Sequence, residues 1–289
     1  MKKLVVMSGK GGVGKSTVAV NLAFALKKKG YKVGLLDCDV HGPSVPKLLG
    51  LEDVRGLEAK EGKIKPLDVQ GVKVFSMGFM LPSRDTPVVW RGPIKHKFIE
   101  EALNNVDWGD IDYLVIDLPP GTGDEVISIV QLAKPDGSVV VTTPQSVALE
   151  DVRKAINFSI HAGVPVIGVI ENMSGMICPH CGKPIEVFGA GGGKKLAAEM
   201  AVPFAGSIPL DTSIFKSGED GKPFVDLDSP SAEIFSKIVD SLLENLEMVQ
   251  EELKRLQEKA EKAKQEAEKK LEELRKKAGS AGSAEEKKE

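Results

Sequence analysis

The residues of this chain best suited to chemistry form a run of small and basic side chains near its N-terminus. Residues 9–17 read Gly-Lys-Gly-Gly-Val-Gly-Lys-Ser-Thr, which matches the GxxxxGK[ST] pattern of a phosphate-binding loop. An apolar run, Leu4 to Met7, precedes this loop, and a helix-like segment, Ser16–Lys28, follows it. Glycines let backbone N–H groups point at phosphate oxygens, while Lys15 is expected to reach the β- and γ-phosphates and Ser16 to bind Mg²⁺. We therefore predict a nucleotide site formed by Gly9, Lys10, Gly11, Gly12, Val13, Gly14, Lys15, Ser16 and Thr17.

Lys10 is unusual, because an ordinary phosphate-binding loop does not need a lysine directly after its first glycine. With this lysine the loop resembles the deviant Walker A ATPases, the branch of P-loop NTPases that includes MinD, ParA and the nitrogenase iron protein. The resemblance implies a nucleotide-sandwich dimer in which Lys10 reaches the phosphates of the partner's nucleotide. A cation supplied in this way neutralises charge that develops in the transition state.

Three aspartates follow apolar, strand-like runs, and the carboxyl ends of parallel strands face the ligand crevice of an α/β sheet. Asp117 ends a Walker B pattern and is expected to hold Mg²⁺ directly or through water. Asp37 would lie near the magnesium, and the deviant Walker A resemblance implies that Asp39 orients the attacking water. In the alternative interpretation, one of these two carboxylates only caps the next turn, and Asp117 only caps a helix.

Three further residues are predicted to line the nucleotide site. Gly121 lies in a proline- and glycine-rich loop after Asp117, and a backbone N–H there could sense the γ-phosphate and move after hydrolysis. Asn172 ends another strand-like run, and its amide can both donate to and accept from a purine edge. In related ATPases the matching asparagine contacts adenine, and Pro209 could line the same base pocket.

Cys178 and Cys181 form a CxxC pair, a spacing that binds soft metals or forms redox couples. The sequence has no second CxxC, so two thiolates need two more ligands from elsewhere, and a twofold dimer supplies them by symmetry. Four thiolates at a dimer axis suit either zinc or an iron–sulfur cluster, and a redox pair is a third alternative. The third cysteine, Cys38, is expected to be a small buried filler.

Taken together, these motifs resemble those of the Mrp/ApbC family of iron–sulfur cluster carrier ATPases. The resemblance covers about residues 1–245, and it is carried by residues 10–17, 37–44 (DCDVHGPS), 117–124 (DLPPGTGD), 171–174 (ENMS) and the CxxC pair. It implies a homodimer that binds and slowly hydrolyses ATP with Mg²⁺. The dimer would hold a 4Fe–4S cluster between the two cysteine pairs and pass it from a cluster donor to apoproteins.

The elements that must position these residues follow from an alternation of apolar, β-branched runs with segments of helical periodicity. This alternation predicts an α/β fold with a mostly parallel sheet flanked by helices, and the MinD/ParA-like resemblance implies the same P-loop NTPase architecture. The predicted strands are residues 4–8, 32–37, 73–77, 113–117, 138–143, 166–171 and 204–208. The predicted helices are residues 16–28, 94–105, 125–133, 148–162, 193–200 and 231–246.

A change in composition divides the chain. Residues 1–246 are predicted to form a P-loop ATPase domain that carries the CxxC loop. Residues 247–278 are rich in Glu, Lys and Ala, which predicts either a solvated single helix with i,i+4 Glu–Lys pairs or a weak coiled coil. Residues 279–289 are predicted to be disordered.

Composition narrows the classes of function. The 289 residues carry a net charge of −3, so we expect no bulk attraction to nucleic acid or to a membrane. No apolar run reaches transmembrane length, and the three cysteines favour a reducing, cytoplasmic location. The alternative function is that of a MinD/ParA-like positioning ATPase, although the charged extension lacks the broad apolar stripe of a membrane-surface helix.

Overall fold

The computed structural model of the protein describes residues 1–39, 42–60, 62–81, 92–178 and 180–285. Val40 and His41 of the motif at 37–44, Pro179 of the CxxC pair and residues 286–289 of the predicted disordered tail lie outside the described residues. The chain forms two compact units, residues 1–246 and a second unit that begins at Glu247. The boundary between them coincides with the change in composition.

The strands are short apolar runs, and most of the longer ones are buried along their whole length, as strands covered on both faces must be. They are β1 (Lys2–Ser8), β2 (Val33–Asp37), β3 (Ala59–Lys60), β4 (Lys63–Ile64), β5 (Leu67–Val69), β6 (Val72–Ser76), β7 (Tyr113–Asp117), β8 (Gly137–Thr142), β9 (Val166–Glu171), β10 (Met176–Ile177), β11 (Pro184–Ile185) and β12 (Phe204–Ser207).

The helices alternate with these strands. They are α1 (Lys15–Lys28), α2 (Val45–Leu48), α3 (Gly92–Asn104), α4 (Asp124–Ala133), α5 (Ser146–His161), α6 (Gly192–Glu199), α7 (Thr212–Glu219) and α8 (Pro230–Glu285), with short 3₁₀ turns at Met77–Met80 and Phe224–Asp226.

One sheet organises the first unit. In the described part of the chain it contains eight strands in the order β12-β9-β8-β1-β7-β2-β6-β5, and only β5 runs antiparallel to its neighbour. β1 therefore lies near the middle, between β8 and β7. The loops that follow β1, β2 and β7 consequently leave the same edge of the sheet side by side, which is where α/β folds bind ligands.

Two hydrophobic cores lie on the two faces of this sheet. On one face, α1 and the first turns of α8 pack against the strands through buried side chains such as Phe24, Phe235 and Leu242. On the other face, α3, α4, α5 and α6 contribute buried side chains such as Ile129 and Ile156. The predicted α/β fold with a mostly parallel, helix-flanked sheet is confirmed.

The structure also contains elements that the sequence did not reveal. They are the short helices α2 and α7, the hairpins β3–β4 and β10–β11, and the antiparallel edge strand β5. Each is short, from two residues in β10 to eight in α7, so it carries too few periodic positions to stand out from a loop.

In the second unit, α8 continues as a helix to Glu285. The side chains of residues 251–266 are exposed, and Arg255 lies 3.8 Å from Glu251 in an i,i+4 pair. The prediction of disorder for residues 279–289 differs from the structure at 279–285, which are helical. This stretch extends the helix that precedes it, and adding residues to an existing helix is easier than starting one. Its two alanines favour the helix, whereas Gly279 and Gly282 each cost about 1 kcal/mol relative to alanine. None of the described helices is both long and apolar enough to cross a membrane.

Candidate nucleotide and metal site

The phosphate-binding loop connects β1 to α1, as the sequence predicts. α1 begins after Gly14, whose φ of 85° is left-handed and therefore favours glycine. A side chain at Gly14 would also overlap the Nδ2 atom of Asn172, so the close approach of the loop to β9 requires glycine here. The start of α1 directs its free backbone N–H groups and its positive dipole end toward the loop, which suits phosphate.

The loop residues border a cavity of about 350 Å³. Most of the predicted loop residues line it together with Asp39, and Ser44, Lys47 and Met173 line it as well, which the sequence analysis did not foresee. The predicted residues that line the cavity are Lys10, Gly11, Gly12, Gly14, Lys15, Ser16, Thr17 and Asp39. Gly9 and Val13 have structural roles in the loop. Gly9 packs against the backbone of Asp151, and the Val13 side chain is buried in the hydrophobic core.

A buried ion pair lies beneath the loop. The Nζ atom of Lys15 is 2.6 Å from Oδ1 of Asp117, and these side chains are only 7% and 0% exposed. Asp37 is the register partner of Asp117 on the adjacent strand, so the two carboxylates lie side by side at the ends of β2 and β7. Oδ2 of Asp117 is buried and has no hydrogen-bond partner among the residues that the structure describes.

Burial dominates the electrostatics of this cluster. It raises the pKa of Asp37 to about 7, and the neighbouring charge of Asp117 adds to that rise, while a 2.8 Å hydrogen bond from Ser76 opposes it. Burial also raises the pKa of Asp117, although Lys15 opposes this rise. Cys38, the residue after Asp37, is fully buried, and burial raises the pKa of its thiol well above the usual value. Cys38 is thus a buried filler, as expected.

The donor set at this edge fits magnesium. The orphaned Oδ2 of Asp117, the carboxylate of Asp37 and the hydroxyl of Ser16 are all oxygen donors, which Mg²⁺ prefers. The Ser16 hydroxyl lies 3.3 Å from Nζ of Lys15. Asp37 and Asp117 are both fully buried, and Lys15 contacts Oδ1 of Asp117, not the orphaned Oδ2.

Asp39 lies at the junction of two cavities, the one at the phosphate-binding loop and a neighbouring one of about 630 Å³. Its Oδ1 accepts the N–H of Gly42, which orients the side chain from its own loop. Gly121 adopts a left-handed φ of 88°, and its N–H donates to the carbonyl of Ser8. To sense a γ-phosphate, that N–H would first have to release Ser8.

Asn172 and Pro209 occupy different surroundings. Nδ2 of Asn172 donates to the carbonyl of Val13 at 2.9 Å, so this amide braces the phosphate-binding loop. Pro209 lines a neighbouring, mostly apolar cavity of about 500 Å³, together with Ser174 and Ile177. That both residues contact adenine stays a prediction. The brace itself joins residues 159 positions apart, which no local pattern in the sequence encodes.

The two cysteines lie at the tip of the hairpin β10–β11. The N–H of Cys178 donates to the carbonyl of Lys183, and the carbonyl of Cys178 accepts the N–H of Gly182, both at 2.9 Å. Cys178 is half-buried and Cys181 is exposed. Backbone N–H groups of Cys181 and His180 lower the pKa of the Cys178 thiol, and this favours the thiolate that binds metals.

One chain supplies only two ligands at this tip. Among the described residues, no group of three or more His, Cys, Asp or Glu side chains is arranged to hold a metal ion. Large apolar side chains around the cysteines are exposed, namely those of Ile177, Ile185, Val187 and Phe188. Exposed apolar groups clustered in this way are typical of an interaction surface.

Comparison with known proteins places these features in context. Residues 1–243 match the family model described as ParA, NUBPL iron-transfer P-loop NTPase. The chain is 48% identical over 246 residues, 85% of each chain, to the iron-sulfur cluster carrier protein of Methanocaldococcus jannaschii.

Solved structures give a consistent picture of the fold. The nucleotide-binding protein of Archaeoglobus fulgidus, in complex with ADP, is 39% identical with a TM-score of 0.71, over 81% of this chain and 91% of that one. The septum site-determining protein MinD of Pyrococcus horikoshii, complexed with Mg-ADP, is 26% identical with a TM-score of 0.62, over 83% of this chain and 95% of that one. The predicted MinD/ParA-like resemblance is thus confirmed at the level of the fold.

Proposed function

The chain belongs to the ParA/NUBPL family of iron-transfer P-loop NTPases, and from this premise we propose that it is an ATP-hydrolysing homodimer that carries a 4Fe–4S cluster. The cluster is the cargo, held between the cysteine pairs of two protomers and passed from a donor to apoproteins. The observation that carries the proposal is the exposed hairpin with Cys178 and Cys181 in a chain that also has a complete phosphate-binding loop.

The nucleotide half of the proposal assigns one task to each polar side chain. Lys15 exchanges its partner Asp117 for the phosphates, and the freed carboxylate joins Asp37 and Ser16 in holding Mg²⁺. When bound, Mg²⁺ neutralises charge on the β- and γ-phosphates. Asp39, at the border of the cavity, orients the attacking water. Lys10 lines the same cavity and reaches the phosphates of the partner's nucleotide, so hydrolysis in a single protomer is slow.

The proposed binding of the cluster depends on the twofold symmetry of a dimer. Each chain offers two thiols on one exposed hairpin, and a cluster with four thiolate ligands needs two such chains. The lowered pKa of Cys178 supports a metal-binding rather than an inert thiol. The exposed apolar side chains on both strands support a face that a second protomer covers, because burying them there removes them from water.

Anaerobic reconstitution with iron and sulfide tests this proposal. We expect a brown dimer with visible thiolate-to-iron absorbance, and we expect Cys178→Ser and Cys181→Ser to abolish it while nucleotide binding persists. Cys38→Ala is the matched control, because Cys38 is buried away from the hairpin and should leave the absorbance intact. Retention of the cluster by the double Cys178→Ser/Cys181→Ser variant would refute the assignment. Binding of zinc but no iron or sulfide would replace the cluster with a dimer-bridging zinc site.

A further inference from the structure

Glu171, the last residue of β9, lies between the two sites without belonging to either. Its side chain is fully buried. Its carboxylate contacts both ends of the segment that carries the cysteines, which we define as residues 172–190. Oε1 accepts the hydroxyl of Ser174 at 2.5 Å and the N–H of Gly191 at 2.8 Å, and Oε2 accepts the N–H of Gly193 at 2.5 Å.

The chain around Glu171 is shaped for these contacts. Gly193 lies in the first turn of α6, and a Cβ there would come within 3.1 Å of Cβ of Glu171, so only glycine allows this approach without a shift. Gly191 caps α6 with a left-handed φ of 82°. The carboxylate therefore faces the N-terminal end of α6, where backbone N–H groups and the helix dipole favour a negative charge.

The cysteine segment begins at the phosphate-binding loop. Asn172, the first residue after Glu171, donates its amide to the carbonyl of Val13 in that loop. Met173 follows with a φ of 57°, a left-handed conformation that is uncommon for a residue with a side chain, and it lines the nucleotide cavity. Ser174 then returns to Glu171. Three consecutive residues thus contact the nucleotide loop, the nucleotide cavity and Glu171 in turn.

We propose that Glu171 is a positioning residue that couples nucleotide binding at the phosphate-binding loop to cargo binding at the cysteine hairpin. A nucleotide that shifts Val13 or Met173 displaces residues 172–174. Oε1 of Glu171 accepts hydrogen bonds from both Ser174 and Gly191. A displacement of Ser174 therefore also moves Gly191, so that both ends of the cysteine segment shift together. This inference rests on the proposed function, since it assumes that the hairpin binds a metal cargo.

Thermodynamic linkage provides the test, because coupling between two binding sites is reciprocal. The affinity for a non-hydrolysable analogue, Mg·AMPPNP, is measured with the iron- and sulfide-loaded protein and with the metal-free protein. We expect the two affinities of the wild type to differ by about fivefold or more, the usual lower range of such coupling. In Glu171→Gln the amide Nε2 faces a backbone N–H in place of one carboxylate oxygen. We expect this variant to bind both ligands while the ratio of affinities falls to about one.

Two further variants separate coupling from folding. Asp136→Asn is the matched control, since the Asp136 carboxylate also accepts a backbone N–H, that of Lys3. Asp136 lies at the amino end of β8, whereas Glu171 lies at the carboxyl end of β9. The Asp136→Asn variant should keep the wild-type ratio. Ser174→Ala removes a single contact of Glu171 and should lower the ratio in part, which keeps the test open if Glu171→Gln does not fold.

The outcomes distinguish the two proposals. A wild-type ratio of one, or an undiminished ratio in both Glu171→Gln and Ser174→Ala, would overturn the coupling role while the carrier function stands. Wild-type protein that takes up no iron or sulfide would refute the proposed function instead. In that case the Mg·AMPPNP affinities of the Zn²⁺-loaded and metal-free proteins are compared instead. A wild-type ratio of one, or an undiminished ratio in both variants, would again overturn the role of Glu171.

Discussion

Replacing Lys15 with methionine should destabilise the protein even without nucleotide. The variant leaves the Asp117 carboxylate fully buried with no counter-ion at 2.6 Å, and its Oδ2 already has no hydrogen-bond partner in the described structure. Removing one partner of a buried ion pair costs about 3–5 kcal/mol. Because total stability is about 5–15 kcal/mol, we expect a large fall in the free energy of unfolding for Lys15→Met.

Two additional measurements identify the cause of this fall. In Lys15→Met/Asp117→Asn no unpaired charge remains at that position, so we expect most of the lost free energy to return. The deficit of the single variant should also shrink as the pH is lowered. Burial raises the pKa of Asp117, so the folded variant retains a proton that the unfolded chain releases, and stability is lost as the pH rises through the folded-state pKa.

Urea unfolding with EDTA, followed by far-ultraviolet circular dichroism and without nucleotide, measures these free energies. Lys32→Met is the matched control, because Lys32 pairs with Asp110 at 2.8 Å but both side chains are exposed. Such exposed pairs are screened by solvent and contribute little to stability. A Lys15→Met variant no less stable than Lys32→Met, or a double variant no more stable than Lys15→Met, would refute the assignment of a strong buried pair.

Other consequences follow from the same geometry. The pKa of Asp37 is raised to about 7, so the folded apo-protein holds a proton that the unfolded chain releases. Its free energy of unfolding should therefore fall as the pH rises from 5 to 8, and Asp37→Asn should flatten that dependence in urea unfolding. Asp39→Ala should bind Mg·ATP but hydrolyse it about a hundredfold more slowly or worse, and an unchanged rate of phosphate release would move the water-orienting role elsewhere. Gly14→Ala should lose nucleotide binding in fluorescent-nucleotide titrations because its new methyl group overlaps Asn172, whereas Gly123→Ala meets open space and should fold and bind normally.

Those parts of the fold that depend on buried, periodic runs could be predicted from the sequence. β7 and β9 have the predicted bounds, and the phosphate-binding loop lies between β1 and α1 as expected. Each of these signals is local, since a strand covered on both faces must be apolar along its length. The edge strand β5 has no such signal, because its middle residue, Asp68, is exposed.

The parts of the candidate site that depend on long-range contacts could not be predicted. The Lys15–Asp117 pair joins residues 102 positions apart, and the amide of Asn172 reaches Val13 across 159 positions. The sequence marks Asn172 as a candidate base contact, whereas the structure uses its amide to brace the loop. Glu171 belongs to a motif that the sequence singles out, yet only the fold brings the residues after Ile185 back to its carboxylate.

Native mass spectrometry of the protein purified without oxygen tests the central claim most directly. The account predicts a dimer that carries one 4Fe–4S cluster, which is about two iron and two sulfide ions per protomer. The same dimer mass without iron or sulfide is expected for Cys178→Ser/Cys181→Ser. A wild-type protein that is monomeric and free of iron and sulfide, or a monomer that holds a complete cluster alone, would contradict the account.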